Sequence, residues 1–155
     1  MLVVSDTSPI LNLAVIGHLD LLRRQFGDVV LPPAVLEELK VDADYPGTVE
    51  IRQALEEGWL RMVELQNDQM TRALRRELDD GEAEAIALAL ELGVETILMD
   101  ERDGRLIAKA MRLAPIGVLG VLVRAKHEGD VGSLKEALDL LQNNAGFYIS
   151  EHLAK

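Results

Sequence analysis

The 155-residue chain has the length of an ordinary folded domain and carries 27 acidic against 16 basic residues, a formal charge of −11. It has no cysteine, which excludes disulfide frameworks, thiolate zinc sites and cysteine nucleophiles; the acid excess argues against a general nucleic-acid coating protein. Hydrophobic residues make up 48% and aromatic residues 3%, so the core must come from Leu, Val, Ile and Ala, a composition suited to helices packed on a parallel sheet. One domain spanning 1–155 is expected. Leu2 to Val4 followed by Asp6 does not resemble a secretion signal, and no stretch has the length of a bilayer span, so a cytoplasmic protein is expected.

Leu2-Val3-Val4-Ser5 predicts a short buried strand, and Asp6-Thr7-Ser8-Pro9 a helix start with Ser8 as cap and Pro9 in the first helical position. Ile10, Leu11, Leu13, Ala14 and Ile16 give that helix its apolar side, and Gly17 stops it. A short helix over Leu19 to Phe26 precedes a strand over Asp28 to Leu31. Pro32-Pro33 then opens a helix whose Val35, Leu36 and Leu39 form one buried stripe. Val41 to Gly47 reads as a loop, Thr48 to Glu57 as a helix closed by Gly58, and Trp59 to Leu65 as a strand.

Asn67 or Asp68 caps a charged helix running to Leu78. The next helix begins at Asp79-Asp80, runs through the Ala-rich stretch to Leu92, and ends at Gly93; being apolar on most sides, it should be buried. Glu95 to Met99 predicts a strand with Asp100 directly after it. A helix from Glu101 or Arg102 to Leu113, a strand over Ala114 to Ile116, and helices over Val118 to His127 and Ser133 to Asn143 complete the order. In the tail, Phe147, Tyr148 and Ile149 are expected to dock back on the domain or feed an interface.

Strands alternating with helices predict a three-layer α/β/α domain with a mostly parallel central sheet of four to five strands. Ligands of such sheets bind beyond the carboxyl ends of the strands. Asp6 and Asp100 both follow strands and should therefore meet at one edge. Glu38 lies beside an apolar stripe. Glu82 stands three residues after Asp79, the spacing of a capping box, which accounts for it; Glu84 lies deeper, among alanines that allow close approach. Hard oxygen ligands of this kind suit Mg²⁺ or Mn²⁺. His18, His127 and His152 share no ligand spacing, which speaks against zinc, and no serine sits in a glycine-flanked elbow.

Four segments in order, Val4-Ser5-Asp6-Thr7-Ser8-Pro9-Ile10, Pro33-Ala34-Val35-Leu36-Glu37-Glu38-Leu39, Gly81-Glu82-Ala83-Glu84-Ala85-Ile86-Ala87 and Leu98-Met99-Asp100-Glu101-Arg102-Asp103-Gly104-Arg105, resemble the PIN-domain family. The nearest likeness is to prokaryotic members related to the ribonuclease toxins of type II toxin–antitoxin pairs. The resemblance implies a ribonuclease that hydrolyses RNA phosphodiester bonds with Mg²⁺ or Mn²⁺. It carries the metal-holding and catalytic roles onto Asp6, Glu38, Glu84 and Asp100. Glu84 stands where the family commonly has aspartate, and Leu98 replaces a threonine, so the last acid is Asp100 or Asp103; Asp100 is favoured because it ends the strand. The likeness further implies a homodimer and an antitoxin partner.

Arg102, Arg105 and Lys109 are spaced to share one side of a helix and to contact phosphates or simply face solvent. Thr7 and Ser8 would hold phosphate or water, or cap the helix. The alternative to a ribonuclease is a catalytically inactive PIN-like module that binds RNA or protein. A phosphatase of the haloacid-dehalogenase type is disfavoured because position 8 is serine where that chemistry needs a second aspartate, and a receiver domain because no acidic pair precedes the candidate phosphoacceptor.

Overall fold

A computed structural model describes residues 1–144. Five strands, β1 (Leu2–Ser5), β2 (Asp28–Leu31), β3 (Leu60–Met62), β4 (Thr96–Leu98) and β5 (Ala114–Ile116), pair in parallel in the order β3-β2-β1-β4-β5. Between β1 and β2 run α1 (Thr7–Val15) and α2 (Asp20–Phe26); α3 (Pro33–Leu39) and α4 (Thr48–Glu57) follow β2. Then come α5 (Gln69–Leu74) and α6 (Asp80–Leu92) before β4, α7 (Arg102–Ala110) before β5, and α8 (Val118–Glu128) and α9 (Leu134–Asn144) after it. The architecture is the expected α/β/α sandwich.

Successive strand side chains point to opposite faces, and both faces here are covered. Val3, Val29, Leu31, Leu60 and Leu98 pack against Ile10 and Leu13 of α1, Leu22 of α2, Ile51 of α4 and Leu122 of α8. On the other side Val4, Val30, Ile97 and Met99 pack against Ile86 and Leu88 of α6 and Ala108 of α7. Burial on both faces explains why the inner strands β1, β2 and β4 are rich in apolar residues. Truncating one of these fully buried side chains, such as Leu88→Ala, would cost about 2–5 kcal/mol. No helix among the described residues is long and apolar enough to cross a membrane.

Several boundaries differ from the sequence expectation. Asp6, not Ser8, occupies the N-cap of α1, with φ −79° and ψ 176° and no side-chain capping bond. Helix α1 thus starts at Thr7, and Pro9 still falls in the first turn, where its missing N–H costs nothing. The strand expected over Trp59 to Leu65 shortens to Leu60–Met62, flanked by the bonds Val29 N to Trp59 O at 2.8 Å and Val63 N to Leu31 O at 2.9 Å. Helix α5 ends at Leu74 and gives way to turns in which Arg76 N and Glu77 N reach back three residues, to Ala73 O and Leu74 O. Helix α7 stops at Ala110, before Arg112 takes a left-handed φ of 66°. Phe147, Tyr148, Ile149 and His152 lie outside the described residues.

The chain leaves β1 toward β2 and β3 on one side and returns to place β4 and β5 on the other. Helices departing in opposite directions open a crevice beyond the carboxyl ends of β1 and β4. Asp6 N donates to Leu98 O at 2.9 Å and ties the two strand ends together at that point.

Candidate active site

Asp6 leaves β1 at the crevice with only 4% of its surface exposed. Its neighbours in the first turn of α1 reach sideways to the acids of two other segments. Thr7 Oγ1 donates to Glu38 Oε2 of α3 at 2.7 Å. Ser8 Oγ donates to Asp100 Oδ2 at 3.0 Å and itself accepts from Asn12 Nδ2 at 2.9 Å, one helical turn along. The other oxygen of Asp100, Oδ1, accepts from Val118 N at the start of α8 at 2.7 Å. That amide is one of the donors a helix start leaves without an intrahelical partner, so Asp100 serves α8 and the crevice together.

The two glutamates of α6 are placed differently from the sequence expectation. Glu84 Oε1 accepts from Ala34 N at the beginning of α3 at 3.0 Å, and its Oε2 pairs with Arg75 at 3.2 Å. Both oxygens therefore have donors that hold α3 and the segment after α5 against α6. Glu82 is the glutamate turned toward Asp6, with 7% of its surface exposed. It completes the expected capping box: Glu82 N donates to Asp79 Oδ1 at 2.8 Å and Asp79 N to Glu82 Oε1 at 3.4 Å. The box fixes Glu82's orientation, and it places Asp79 close enough to act on the charges of both Asp6 and Glu82. Asp103 is exposed in the first turn of α7.

Three of these acids rest against glycines. A Cβ on Gly81 would come within 2.6 Å of Glu38 Oε1, one on Gly104 within 2.7 Å of Glu82 Oε2, and one on Gly117 within 2.9 Å of Asp100 Oδ1. Any side chain at these positions would push a carboxylate away.

Burial pushes the Asp6 carboxyl up from 3.8 to about 7, against a lowering hydrogen bond from Thr7 N–H and with further raising by Asp79, Glu38 and Asp100. Glu82 is likewise pushed up to about 7, by burial first and then by Asp79 and Asp6. Asp100 is raised by burial, while the Val118 amide, the Ser8 hydroxyl and the Arg105 charge pull it back. Among the described residues no lysine, arginine or histidine forms an ion pair with Asp6, Glu38, Asp79, Glu82 or Asp100. Arg105, whose charge acts on Asp100, is half-buried and donates from Nη1 to Met99 O at 2.8 Å. Arg102 and Lys109 stand exposed on the same helix.

Among the described residues no three Asp, Glu or His side chains are grouped tightly enough to hold a metal ion as they stand. Glu38 and Asp100 each accept from local hydroxyl or amide donors, so each would have to turn from those donors to share a cation. The donor set nonetheless suits a hard divalent cation, since it is made only of carboxylate oxygens and, among the described residues, none of them is ion-paired.

Sequence reasoning missed Glu82, Asp79 and Asn12. The cap accounted for Glu82 and hid its second role, although its spacing to Ile86 and Ala89 marks the buried face of α6.

A parallel sheet sandwiched by helices, with acids at the topological switch point, sets the chain among α/β proteins that act at the carboxyl edge of the sheet. A family model described as a PIN domain matches residues 2–155, and the chain belongs to the PIN-domain family. PIN domains are in general nucleases. No curated protein and no solved structure matches the chain.

Proposed function

We propose that this PIN domain is a ribonuclease that hydrolyses RNA phosphodiester bonds with the help of Mg²⁺ or Mn²⁺, held by Asp6, Glu38, Glu82 and Asp100. Glu82 takes the place that the family likeness assigned to Glu84, because Glu84 is already ion-paired with Arg75, whereas Glu82 lies close enough to Asp6 for their charges to act on each other. The observation that carries the proposal is the pair Asp6 and Glu82, buried beside Asp79, with no ion-pair partner among the described residues and both pushed to about 7. Acids crowded so that burial and mutual repulsion hold protons on them near neutral pH are poised to give those protons up to a cation.

A bound divalent ion would offset the negative charge that builds on the phosphate and leaving-group oxygens and would make water a better nucleophile. The chain's own groups do the rest. Thr7 and Ser8 hold Glu38 and Asp100 in place and are positioned to donate to phosphate oxygens when those acids turn inward. Arg105 offers its remaining guanidinium donors to the RNA backbone beside Asp100. Asp6, the most buried acid, is the one expected to release its proton when the cation arrives.

Labelled single-stranded RNA incubated with the purified protein and Mn²⁺ or Mg²⁺ tests the proposal. Cleavage should require the metal and should fall by about a hundredfold or more in Asp6→Asn and in Glu82→Gln. Cleavage that survives EDTA, or is unchanged in Asp6→Asn, would reject it.

The carboxylates' separate local donors favour one second reading, a PIN-like module that binds RNA or protein without cutting it. Metal-dependent turnover at any measurable rate would remove that alternative. We further propose a cytoplasmic homodimer acting as the toxin of a toxin–antitoxin pair. Its support is the family likeness and, for the dimer, the exposed Val123 of α8 and Leu140 of α9. Toxicity on expression, relieved by a neighbouring gene's product, is the test; sedimentation as a monomer at micromolar concentration would count against the dimer.

A further inference from the structure

A cavity of about 400 Å³ opens directly beside Asp100, between the carboxyl end of β5 and the first turn of α8. Pro115, Ile116 and Leu119 form an apolar wall, and Arg105 and Asp100 contribute the polar groups. Gly120 borders the opening. It is exposed, in the first turn of α8, where a Cβ would meet nothing nearer than Ile116 Cγ2 at 3.4 Å. Folding thus has no need of a glycine there, and glycine is the poorest helix former after proline. What it keeps is open space.

Apolar side chains with one planar cation at the edge provide a lining that a nucleobase can use, its faces against hydrocarbon and its edge on a guanidinium. Arg105 commits Nη1 to Met99 O, and a guanidinium carries five N–H donors in all, so the others can meet acceptors on an incoming base. An anion site alone would not account for the wall of Pro115, Ile116 and Leu119. Asp100 borders both the cavity and the acid group, so a nucleotide with its base in the cavity has its phosphate next to the acids.

We infer that this cavity binds the base of the nucleotide flanking the scissile phosphate and thereby sets where the RNA strand is cut. The inference rests on the ribonuclease reading for the word scissile, but the binding of a base can be tested without any cleavage. Adenosine, guanosine, cytidine and uridine, with ribose as the base-free control, are titrated into the full chain in EDTA and followed by amide chemical shifts. At least one nucleoside should bind tenfold or more tightly than ribose, shifting Gly117 and Gly120. Gly120→Leu, which fills the opening, should weaken that binding at least tenfold while leaving the circular dichroism spectrum unchanged, and Arg105→Gln should weaken it independently. Nucleosides binding no better than ribose, or Gly120→Leu binding as the native chain does, would overturn the inference. Absence of RNA cleavage with Mn²⁺ would instead fall on the ribonuclease reading, because the nucleoside titration involves neither metal nor chemistry. If the native chain cuts, Gly120→Leu should change the distribution of cut positions on a mixed-sequence RNA; an unchanged distribution also overturns the inference.

Discussion

The Glu82 carboxylate lies so close to Gly104 that a Cβ on the glycine would stand 2.7 Å from Glu82 Oε2 and 2.6 Å from the buried Met99 Sδ. Glycine to alanine in a helix normally stabilises by about 1 kcal/mol. At Gly104 the sign should reverse, because two packed groups must move: Gly104→Ala is expected to lower stability by about 1–3 kcal/mol. Urea denaturation measures it, and an unchanged midpoint would show that the contact yields freely.

Gly81→Ala should behave differently. The atom in the way is the end of the flexible Glu38 side chain, 2.6 Å from the added Cβ. Glu38 can swing aside at little cost, and α6 gains a better helix former, so the melting temperature should hold or rise. Cleavage should still drop, by about tenfold, since misplacing one charged group by an ångström has that order of effect. Equal loss of stability and activity would argue that Gly81 matters only for folding.

The two glutamates of α6 are expected to separate by assay. Glu82→Gln keeps a residue that can complete the capping box and should fold normally while losing cleavage about a hundredfold. Glu84→Gln removes the pairing with Arg75 and weakens the bond from Ala34 N, which should cost about 1 kcal/mol of stability and leave cleavage within about threefold. The reverse pattern would restore Glu84 to the proposed site.

Stability without metal should fall as the solution is made less acidic. Asp6 has a folded value of about 7 against 3.8 when free, so the unfolded chain loses this proton first. Its contribution favours folding below about pH 4, is lost progressively up to pH 7, and is flat above; the full shift corresponds to at most about 4 kcal/mol. Glu82 acts in the same direction, its carboxyl likewise raised by burial and by the charges of Asp79 and Asp6. In EDTA, the melting temperature at pH 8 should lie below that at pH 5, and Asp6→Asn should narrow the gap. Mn²⁺ at pH 8 should restore much of the loss in the native chain and little in Asp6→Asn. A gap of equal size in the two proteins would sink the assignment.

Much of the fold was legible because pattern and burial agree. The strands at Leu2–Ser5, Asp28–Leu31 and Ala114–Ile116 and the helix at Thr48–Glu57 fall where the apolar runs and the closing Gly58 put them. The expected strand over Trp59 to Leu65 was too long because β3 pairs on one side only, with β2, and local apolarity does not show where a single-sided ladder stops. At the site, the positions of Asp6 and Asp100 followed from strand ends. Choosing between Glu82 and Glu84 needed the face of α6. Asp80 and Glu91 are exposed on the side where Glu84 lies, whereas Ile86 and Ala89 are buried on Glu82's side. The spacing contained that distinction, but an evident capping role for Glu82 masked it. The pairing of Ser8 with Asp100, separated by 92 positions, depends on the strand order and had no local signature.

Because one Asp100 oxygen is held by the amide of Val118, the acid group spans residues from Asp6 to the start of α8. A chain still being synthesised therefore lacks the amide that anchors Asp100 until β4 and β5 have been added and α8 has begun. Proteolytic fragments ending before Gly117 would keep all the acids yet leave Asp100 without its anchoring amide, so such pieces should be inert toward RNA even where they remain partly folded.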